Sequence, residues 1–134
     1  MEVARASTLT VAAESDIVKV RQAARAATLE IKCSLVDQTK TVTAASELAR
    51  NLLVYGGGGE VRIEYVQDGA RRGLRMIFED RGPGIPDIDL ALKDGYTSGK
   101  GMGLGLGGAK RLVNDFEIYS KAGEGTRVTI TKWK

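Results

Sequence analysis

Glu79-Asp80-Arg81-Gly82-Pro83-Gly84 is the segment from which the fold and the site of this chain can be worked out. Residues 74–79 are predicted to form a strand, so Asp80 falls at the end of that strand. An ionised aspartate only accepts hydrogen bonds, and it can therefore bind an amino group such as that of adenine. The glycines let a flat ring approach the backbone, while Pro83 and Pro86 stiffen the loop. Taken alone, the same pattern also describes an ordinary tight turn.

A second element lies upstream, on a predicted helix that ends near Tyr55. Glu47 and Asn51 are four residues apart and share one helical face, and Thr43 continues that stripe. Asn51 can offer a neutral oxygen to Mg²⁺, which takes its remaining ligands from water and phosphates. Glu47 is then available to accept a proton from a hydroxyl group or water. An isolated pair of this kind more often marks a solvated helical face, so it gains meaning only from its neighbours.

A glycine cluster follows downstream, in Ser98-Gly99-Lys100-Gly101-Met102-Gly103-Leu104-Gly105-Leu106-Gly107-Gly108. Bare amides at the start of a helix bind phosphate, and the helix dipole adds to that attraction. Lys100 is the candidate for neutralising a terminal phosphate, and Arg50 is an alternative because it adjoins Asn51. The competing interpretation is a glycine-rich lid that holds no ligand.

Two common nucleotide motifs overlap this cluster without fitting it. Residues 103–108 match G-x-G-x-x-G, but the dinucleotide motif needs a strand directly before it and an acid about 20 residues later. A polar loop precedes the glycines here. A Walker A motif fails because Gly101 follows Lys100, where serine or threonine should stand. The H-R-D and D-F-G sequences of eukaryotic-type kinases are also absent.

Composition excludes several classes of protein. The 134 residues fit a single domain, residues 1–134, and the net charge of +3 comes without a basic tract or an aromatic ladder, which argues against nucleic acid as the main partner. The chain has no histidine, which excludes a Cys-His zinc site, a Ser-His-Asp triad and histidine autophosphorylation. No apolar run approaches the roughly 20 residues of a membrane span. Cys33 is the only cysteine, and we expect a buried, inert thiol and a cytoplasmic location.

Hydrophobic periodicity predicts an α+β fold with five strands and three main helices. The predicted strands are 8–11, 61–65, 74–79, 116–120 and 127–132, the main helices 16–30, 34–55 and 104–115, and a short helix 87–93. Ser15 or Asp16 is expected to cap the first helix, Ser34 the second and Asp87 the short one. Residues 61, 63 and 65 alternate with polar residues, which predicts a strand with one wet face. Consecutive hairpins predict a mostly antiparallel sheet with the helices on one face.

The order and chemistry of the three pieces resemble the GHKL ATPases, which include gyrase-type topoisomerases, heat-shock chaperones, histidine kinases and the MutL repair proteins. Residues 47–51 resemble the N-box, residues 80–84 the first glycine box and residues 101–105 the second. Gly125-Thr126 resembles the small motif near the end, whose threonine helps to hold adenine. The resemblance extends from about residue 8 to the end of the chain. It implies the Bergerat fold, a two-layer α/β sandwich with a mixed, mostly antiparallel sheet.

Within that family, the compact size and the lack of histidine resemble the bacterial anti-sigma-factor-like serine kinases, and most of all the switch kinases of the stressosome. Residues 34–40, 47–51 and 101–112 carry this likeness. It implies transfer of the ATP γ-phosphoryl group to serine or threonine of a STAS-domain partner, and activation of a PP2C-type phosphatase after release. An anti-sigma factor of the same fold and a non-catalytic ATP-dependent binding module are the alternatives. Plain ATP hydrolysis needs transducer domains, for which a chain of this length has no room.

The resemblance also implies a role for each residue of the site. The nucleotide-binding residues are Asn51, Asp80, Gly82, Gly84, Gly101, Gly103, Leu104, Gly105 and Thr126. Of these, Asn51 would also be the Mg²⁺ ligand. Glu47 would orient the seryl hydroxyl group and take its proton, and Lys100 or Arg50 would stabilise the γ-phosphate. The segment between Ile85 and Gly101 is short for the family, so weak, exchangeable ATP binding is expected.

Overall fold

A computed structural model of the protein describes residues 1–92 and 105–134. Four predicted site residues, Lys100, Gly101, Gly103 and Leu104, lie outside these described residues. In chain order, the elements are β1 (Glu2–Val11), α1 (Glu14–Glu30), α2 (Leu35–Val54), β2 (Gly59–Asp68), β3 (Arg71–Asp80), α3 (Ile88–Ala91), α4 (Leu106–Arg111), β4 (Asp115–Lys121) and β5 (Gly125–Trp133). In these two ranges, no helix has the length and apolar content that crossing a membrane requires.

The five strands form one sheet in the order β1-β2-β3-β5-β4. The α+β class is confirmed. The resemblance implies a mixed, mostly antiparallel sheet, but the four pairings among the described strands are all antiparallel. The helices and one face of the sheet share a single hydrophobic core. The sheet contributes Val11, Val61, Ile63, Leu74, Met76, Phe78, Val128 and Ile130 to it.

The first helix follows its predicted stripe but not its predicted cap. Its inward residues, Ile17, Val20, Ala24, Ala27 and Ile31, are all buried. The N-cap is Ala13, one turn earlier than Asp16. Asp16 instead reaches back, and its Oδ2 accepts the N–H groups of Ala12 and Ala13 at 2.9 and 3.0 Å. These bonds hold the pKa of the Asp16 carboxyl below its usual range.

The second helix begins as the sequence predicts. Ser34 is its N-cap, and the Ser34 Oγ accepts the N–H of Asp37 at 3.1 Å. The Asp37 carboxylate also lies 3.2 Å from Nζ of Lys132 on β5, which ties the first turn of α2 to the sheet. Cys33, just before this cap, is buried as expected, and burial raises the pKa of its thiol. The helix that carries Glu47 and Asn51 is therefore anchored at its start.

Strand β2 departs from the prediction of one wet face. Val61 and Ile63 face the core, but Glu64, on the opposite face, is only 6% exposed. Its carboxylate accepts hydrogen bonds from Nε of Arg62 at 2.8 Å and from Nε of Arg75 on β3. Burial opposes ionisation of Glu64, yet these bonds outweigh it and hold the pKa of the carboxyl below its ordinary value. Two arginine side chains thus cover a residue that alternation alone assigns to solvent.

The last helix is shorter than predicted. It covers Leu106–Arg111, because the chain has joined the sheet by Asn114. The N–H of Asn114 donates to the Thr131 carbonyl at 3.0 Å, and its Oδ1 accepts the N–H of Trp133 at 2.7 Å. The short helix α3 begins after Asp87 as expected, and the Asp87 Oδ1 accepts the Leu90 N–H at 3.0 Å.

Candidate active site

A cavity of about 550 Å³ lies between the second half of α2 and the adjoining ends of β3 and β5. This volume falls in the range of small-molecule sites. Four predicted site residues line it, namely Asn51, Asp80, Gly84 and Thr126. Most of the other lining groups are apolar, and they include Leu48, Leu52, Phe78, Ile85, Leu90, Leu106 and Val128. An apolar cavity with a few polar lining groups suits a flat, partly polar ring.

Asp80 is the last residue of β3, as the sequence predicts, and its carboxylate is fixed by the backbone. Its Oδ1 accepts the N–H of Gly82 at 2.9 Å and the N–H of Thr126 at 3.3 Å. Both of these bonds end on Oδ1, and each carboxylate oxygen has two lone pairs. Oδ2 can therefore accept a hydrogen bond from a donor group in the cavity.

Glycines from three segments crowd around Asp80. A Cβ on Gly56 would lie 2.5 Å from Cγ of Asp80, and one on Gly82 would lie 2.8 Å from Cα of Gly56. On Gly125, whose φ is +111°, a Cβ would lie 2.1 Å from the Asp80 carbonyl oxygen. Real Cβ atoms do not tolerate such approaches, so packing requires glycine at all three positions, and at Gly125 the positive φ requires it as well.

Gly56 is a site residue that the sequence did not reveal. Residues 56–59 are expected from the sequence to form a helix cap and a loose turn, and a turn glycine looks the same in sequence as one that packs against a carboxylate. The only available signal was the length of the run, because one glycine is enough to cap a helix. The positive φ angles fall on Gly57 and Gly58, so Gly56 is not needed for the turn itself.

Gly84 holds the loop after Asp80 against the turn between β4 and β5. Its φ is +80°, and a Cβ there would lie 2.5 Å from the Lys121 carbonyl oxygen. The N–H of Gly123 in that turn donates to the Pro83 carbonyl at 3.0 Å. The loop of the first glycine motif therefore packs against the turn that leads into the Gly125-Thr126 motif.

Glu47 lies next to the end of the second glycine cluster. A Cβ on Gly105 would stand 2.5 Å from Oε2 of Glu47, and Gly105 has a φ of +66° as the N-cap of α4. The structure thus brings Glu47 to the residue that leads into α4, and Asn51 one turn further along α2 lines the cavity. A carboxylate and a carboxamide side chain thus lie one turn apart on α2, where phosphates and Mg²⁺ are expected.

Arg50, the alternative to Lys100, points to a different partner. Its Nη1 lies 3.6 Å from Oε1 of Glu14 at the start of α1, and both side chains are partly exposed. An exposed pair of this kind contributes little stability, about 0–1 kcal/mol. It does place the guanidinium toward α1 rather than in the lining of the cavity.

Comparison with known proteins gives a consistent result. The family described as Histidine kinase-, DNA gyrase B-, and HSP90-like ATPase matches residues 36–134. The chain is 48% identical over 120 residues to the serine/threonine-protein kinase RsbT of Bacillus subtilis, covering 90% of each chain. It is also 32% identical over 105 residues to an anti-sigma F factor of Clostridium kluyveri, covering 74% of this chain and 72% of the relative.

Two solved structures share the fold. A structure of the RsbU and RsbW domains of a Mycobacterium tuberculosis protein superposes with a TM-score of 0.64 at 24% identity, and it covers 97% of this chain. The chain spans only 33% of that longer protein. The catalytic domain of the histidine kinase ThkA superposes with a TM-score of 0.52 at 13% identity, covering 94% of this chain and 95% of that domain. At these identities the likeness concerns the fold alone.

Proposed function

Because this chain belongs to the histidine kinase-, DNA gyrase B- and HSP90-like ATPase family, we propose that it is an ATP-dependent protein serine/threonine kinase. The observation that carries the proposal is that three separate sequence motifs come together around one cavity: Asn51 and Asp80 line it, and Glu47, one turn before Asn51, lies against Gly105 at the start of α4. The 48% identity to a curated serine/threonine-protein kinase supports it. The resemblance inferred from the motifs is confirmed at the level of the family.

The adenine of ATP would occupy the end of the cavity marked by Asp80 and Thr126. The exocyclic amino group would donate to Oδ2 of Asp80, while Oδ1 stays bound to the backbone. The ring would lie between apolar side chains from α2 and β3, such as Leu52 and Phe78. The triphosphate then extends toward Asn51 and Glu47.

Phosphoryl transfer needs little covalent chemistry from the protein, and positioning and charge neutralisation supply most of the rate. Glu47 would orient the incoming hydroxyl group and accept its proton, a contribution of about 10²–10⁴-fold. Asn51 would hold Mg²⁺, which neutralises phosphate charge when it is bound. Lys100, Gly101, Gly103 and Leu104 retain their proposed roles toward the phosphates as predictions, as does Gly105.

The substrate in this proposal is a STAS-domain protein, and the released kinase activates a PP2C-type phosphatase in the cytoplasm. RsbT is the relative that supports a kinase of this kind. The alternative is an anti-sigma factor that sequesters a sigma factor, and the relatives named anti-sigma F factor support that reading at lower identity. A binding module that holds ATP without transfer is the third possibility.

The deciding experiment incubates the full chain with Mg²⁺, γ-labelled ATP and a purified STAS-domain protein from the same genome. Mass spectrometry should locate one phosphoserine or phosphothreonine on the STAS protein. Capture of partners from lysate in parallel should recover STAS and PP2C proteins. Recovery of a sigma factor without transfer would favour the anti-sigma alternative, and ATP binding with neither would favour the binding module.

A further inference from the structure

Ser120, near the end of β4, touches both segments that build the purine end of the cavity. We propose that Ser120 is a positioning residue that sets the direction of the Thr126 hydroxyl proton and thereby the preference of the cavity for adenine over guanine. Nothing in the motifs singles this serine out. The inference rests on the proposed function only in requiring that the cavity binds a purine nucleotide.

The Ser120 hydroxyl group makes three contacts with residues that the structure describes. Its Oγ accepts the N–H of Ile85, in the loop after the first glycine motif, at 2.7 Å. It donates to the carbonyl oxygen of Gly125 at 3.1 Å. It also lies 2.8 Å from the Thr126 Oγ1, in a bond that either hydroxyl group can donate. One side chain therefore joins the loop at Ile85 to the start of β5.

The number of protons decides which hydroxyl group donates. A serine hydroxyl has one proton and two lone pairs, and a carbonyl oxygen only accepts. When the Ser120 proton goes to Gly125, the bond between the two hydroxyl groups requires the proton of Thr126. The Thr126 oxygen then offers only lone pairs to the cavity.

The purine end of the cavity consequently presents acceptors from both sides. Asp80 offers Oδ2 and Thr126 offers the lone pairs of Oγ1, and both residues line the cavity. The exocyclic amino group of adenine is a donor and suits such a site, directly or through a water molecule. The carbonyl oxygen that guanine carries at the same ring position is an acceptor and would face acceptors without a donor, which weakens its binding.

Removal of the Ser120 hydroxyl group frees the Thr126 proton. Thr126 can then rotate and donate into the cavity, which helps a guanine carbonyl and no longer favours an amino group. We therefore expect Ser120→Ala to narrow the ratio of ATP to GTP affinity by about tenfold, the size of one mismatched hydrogen bond. A serine that only held the loop in place would change both affinities by the same factor.

The experiment measures Kd for ATP and for GTP by calorimetry on the full chain with Mg²⁺. The variants are Ser120→Ala, Ser120→Cys, which keeps the size but bonds weakly, and Ser120→Thr, which keeps the hydroxyl group. Ser120→Ala and Ser120→Cys should narrow the ratio of ATP to GTP affinity, whereas Ser120→Thr should keep it at the wild-type value. In a Thr126→Val background, Ser120→Ala should no longer change the ratio, because there is no threonine proton to direct.

The proposal is overturned if wild-type protein binds ATP and GTP equally, or if Ser120→Ala and Ser120→Cys leave the ratio unchanged. It is also overturned if Ser120→Ala narrows the ratio equally in the Thr126→Val background. The kinase proposal fails separately: a wild-type chain that binds ATP selectively but phosphorylates no STAS protein would contradict the kinase and leave the role of Ser120 standing.

Discussion

Glu47 is a carboxylate that lies against the start of α4. Its Oε2 occupies the space where a side chain on Gly105 would be, one turn of α2 before Asn51. We expect Glu47→Gln to keep Mg·ATP affinity within a few-fold of wild type, since the amide has the same shape. Phosphoryl transfer should fall by about 10²–10⁴-fold, because an amide cannot take the substrate proton. Single-turnover transfer of labelled phosphate and calorimetry with ATP measure the two quantities.

The control for this substitution is Glu60→Gln, which removes an exposed carboxylate from β2. It should leave both quantities at their wild-type values. Phosphoryl transfer by Glu47→Gln at the wild-type rate would contradict the role of Glu47 as proton acceptor. Loss of ATP binding in Glu47→Gln would instead assign the residue to the nucleotide site.

For Asp80 we expect the opposite result, a loss of ATP affinity, because its proposed role is in nucleotide binding. In Asp80→Asn the amide oxygen can still accept the N–H groups of Gly82 and Thr126, so the fold should be retained. The amide nitrogen then replaces Oδ2 and presents a donor to the amino group of adenine. ATP affinity should fall by about 1.5–3 kcal/mol, or roughly 10–150-fold, as calorimetry would show. The neighbouring exposed change Glu79→Gln should not alter it, and unchanged affinity in Asp80→Asn would remove Asp80 from the purine site.

At the scale of elements, the turn after α2 is part of the site. Gly56→Ala would put a methyl group 2.5 Å from Cγ of Asp80, with backbone angles that alanine can adopt. The substitution should displace the Asp80 carboxylate and destabilise the protein by about 1–3 kcal/mol, with weaker ATP binding. Urea unfolding and ATP titration measure both effects.

Gly108→Ala provides the matched control. Gly108 lies in α4, where a Cβ would meet no atom of the described residues within 4 Å apart from its own helix, and its φ is not positive. Alanine at that position should raise stability by about 0.5–1 kcal/mol, because it is the better helix former. Equal destabilisation by the two substitutions would mean that contact with Asp80 is not what Gly56 provides.

The same elements show what sequence patterns can and cannot foresee. The buried stripe of α1, the Ser34 cap and the place of Asp80 at a strand end were predictable, because each depends on local periodicity or a local hydrogen bond. Strand β1 was predicted only for residues 8–11, because most of its ten residues are exposed at the sheet edge and carry no alternation. Gly56 and Ser120 were missed because their importance comes from contacts with Asp80 and Ile85, which are distant in the sequence.

At the scale of the whole molecule, ion pairs connect strands on the face of the sheet that points away from the helices. Glu64 joins β2 to β3 through Arg75 and is covered by Arg62 on its own strand. Two other carboxyls, Asp16 and Glu30, also have pKa values below their ordinary range, through bonds to backbone N–H groups and to Arg5 respectively. Groups of this kind make the stability of the folded state depend on pH in the acidic range.

The sign of that dependence follows from the lowered pKa of Glu64. The folded state favours the ionised carboxyl, so its contribution is fully present above the ordinary value of about 4.5 and is lost as the pH falls through the lower folded value. Glu64→Gln removes this contribution. The variant should therefore be less stable than wild type at pH 7, and the difference should shrink as the pH falls below about 4.5.

Urea unfolding at pH 7, 4 and 3 measures this difference, with Glu60→Gln as the control on the same strand and the same face. The control should follow the wild-type curve at each pH, because Glu60 is exposed whereas Glu64 is buried between two guanidinium groups. Asp16 and Glu30 remain in all three proteins, so each should still lose stability in acid. If the free energy of unfolding of Glu64→Gln differs from that of wild type by the same amount at all three pH values, then packing, and not the ionised carboxylate, accounts for the contribution of Glu64 to stability.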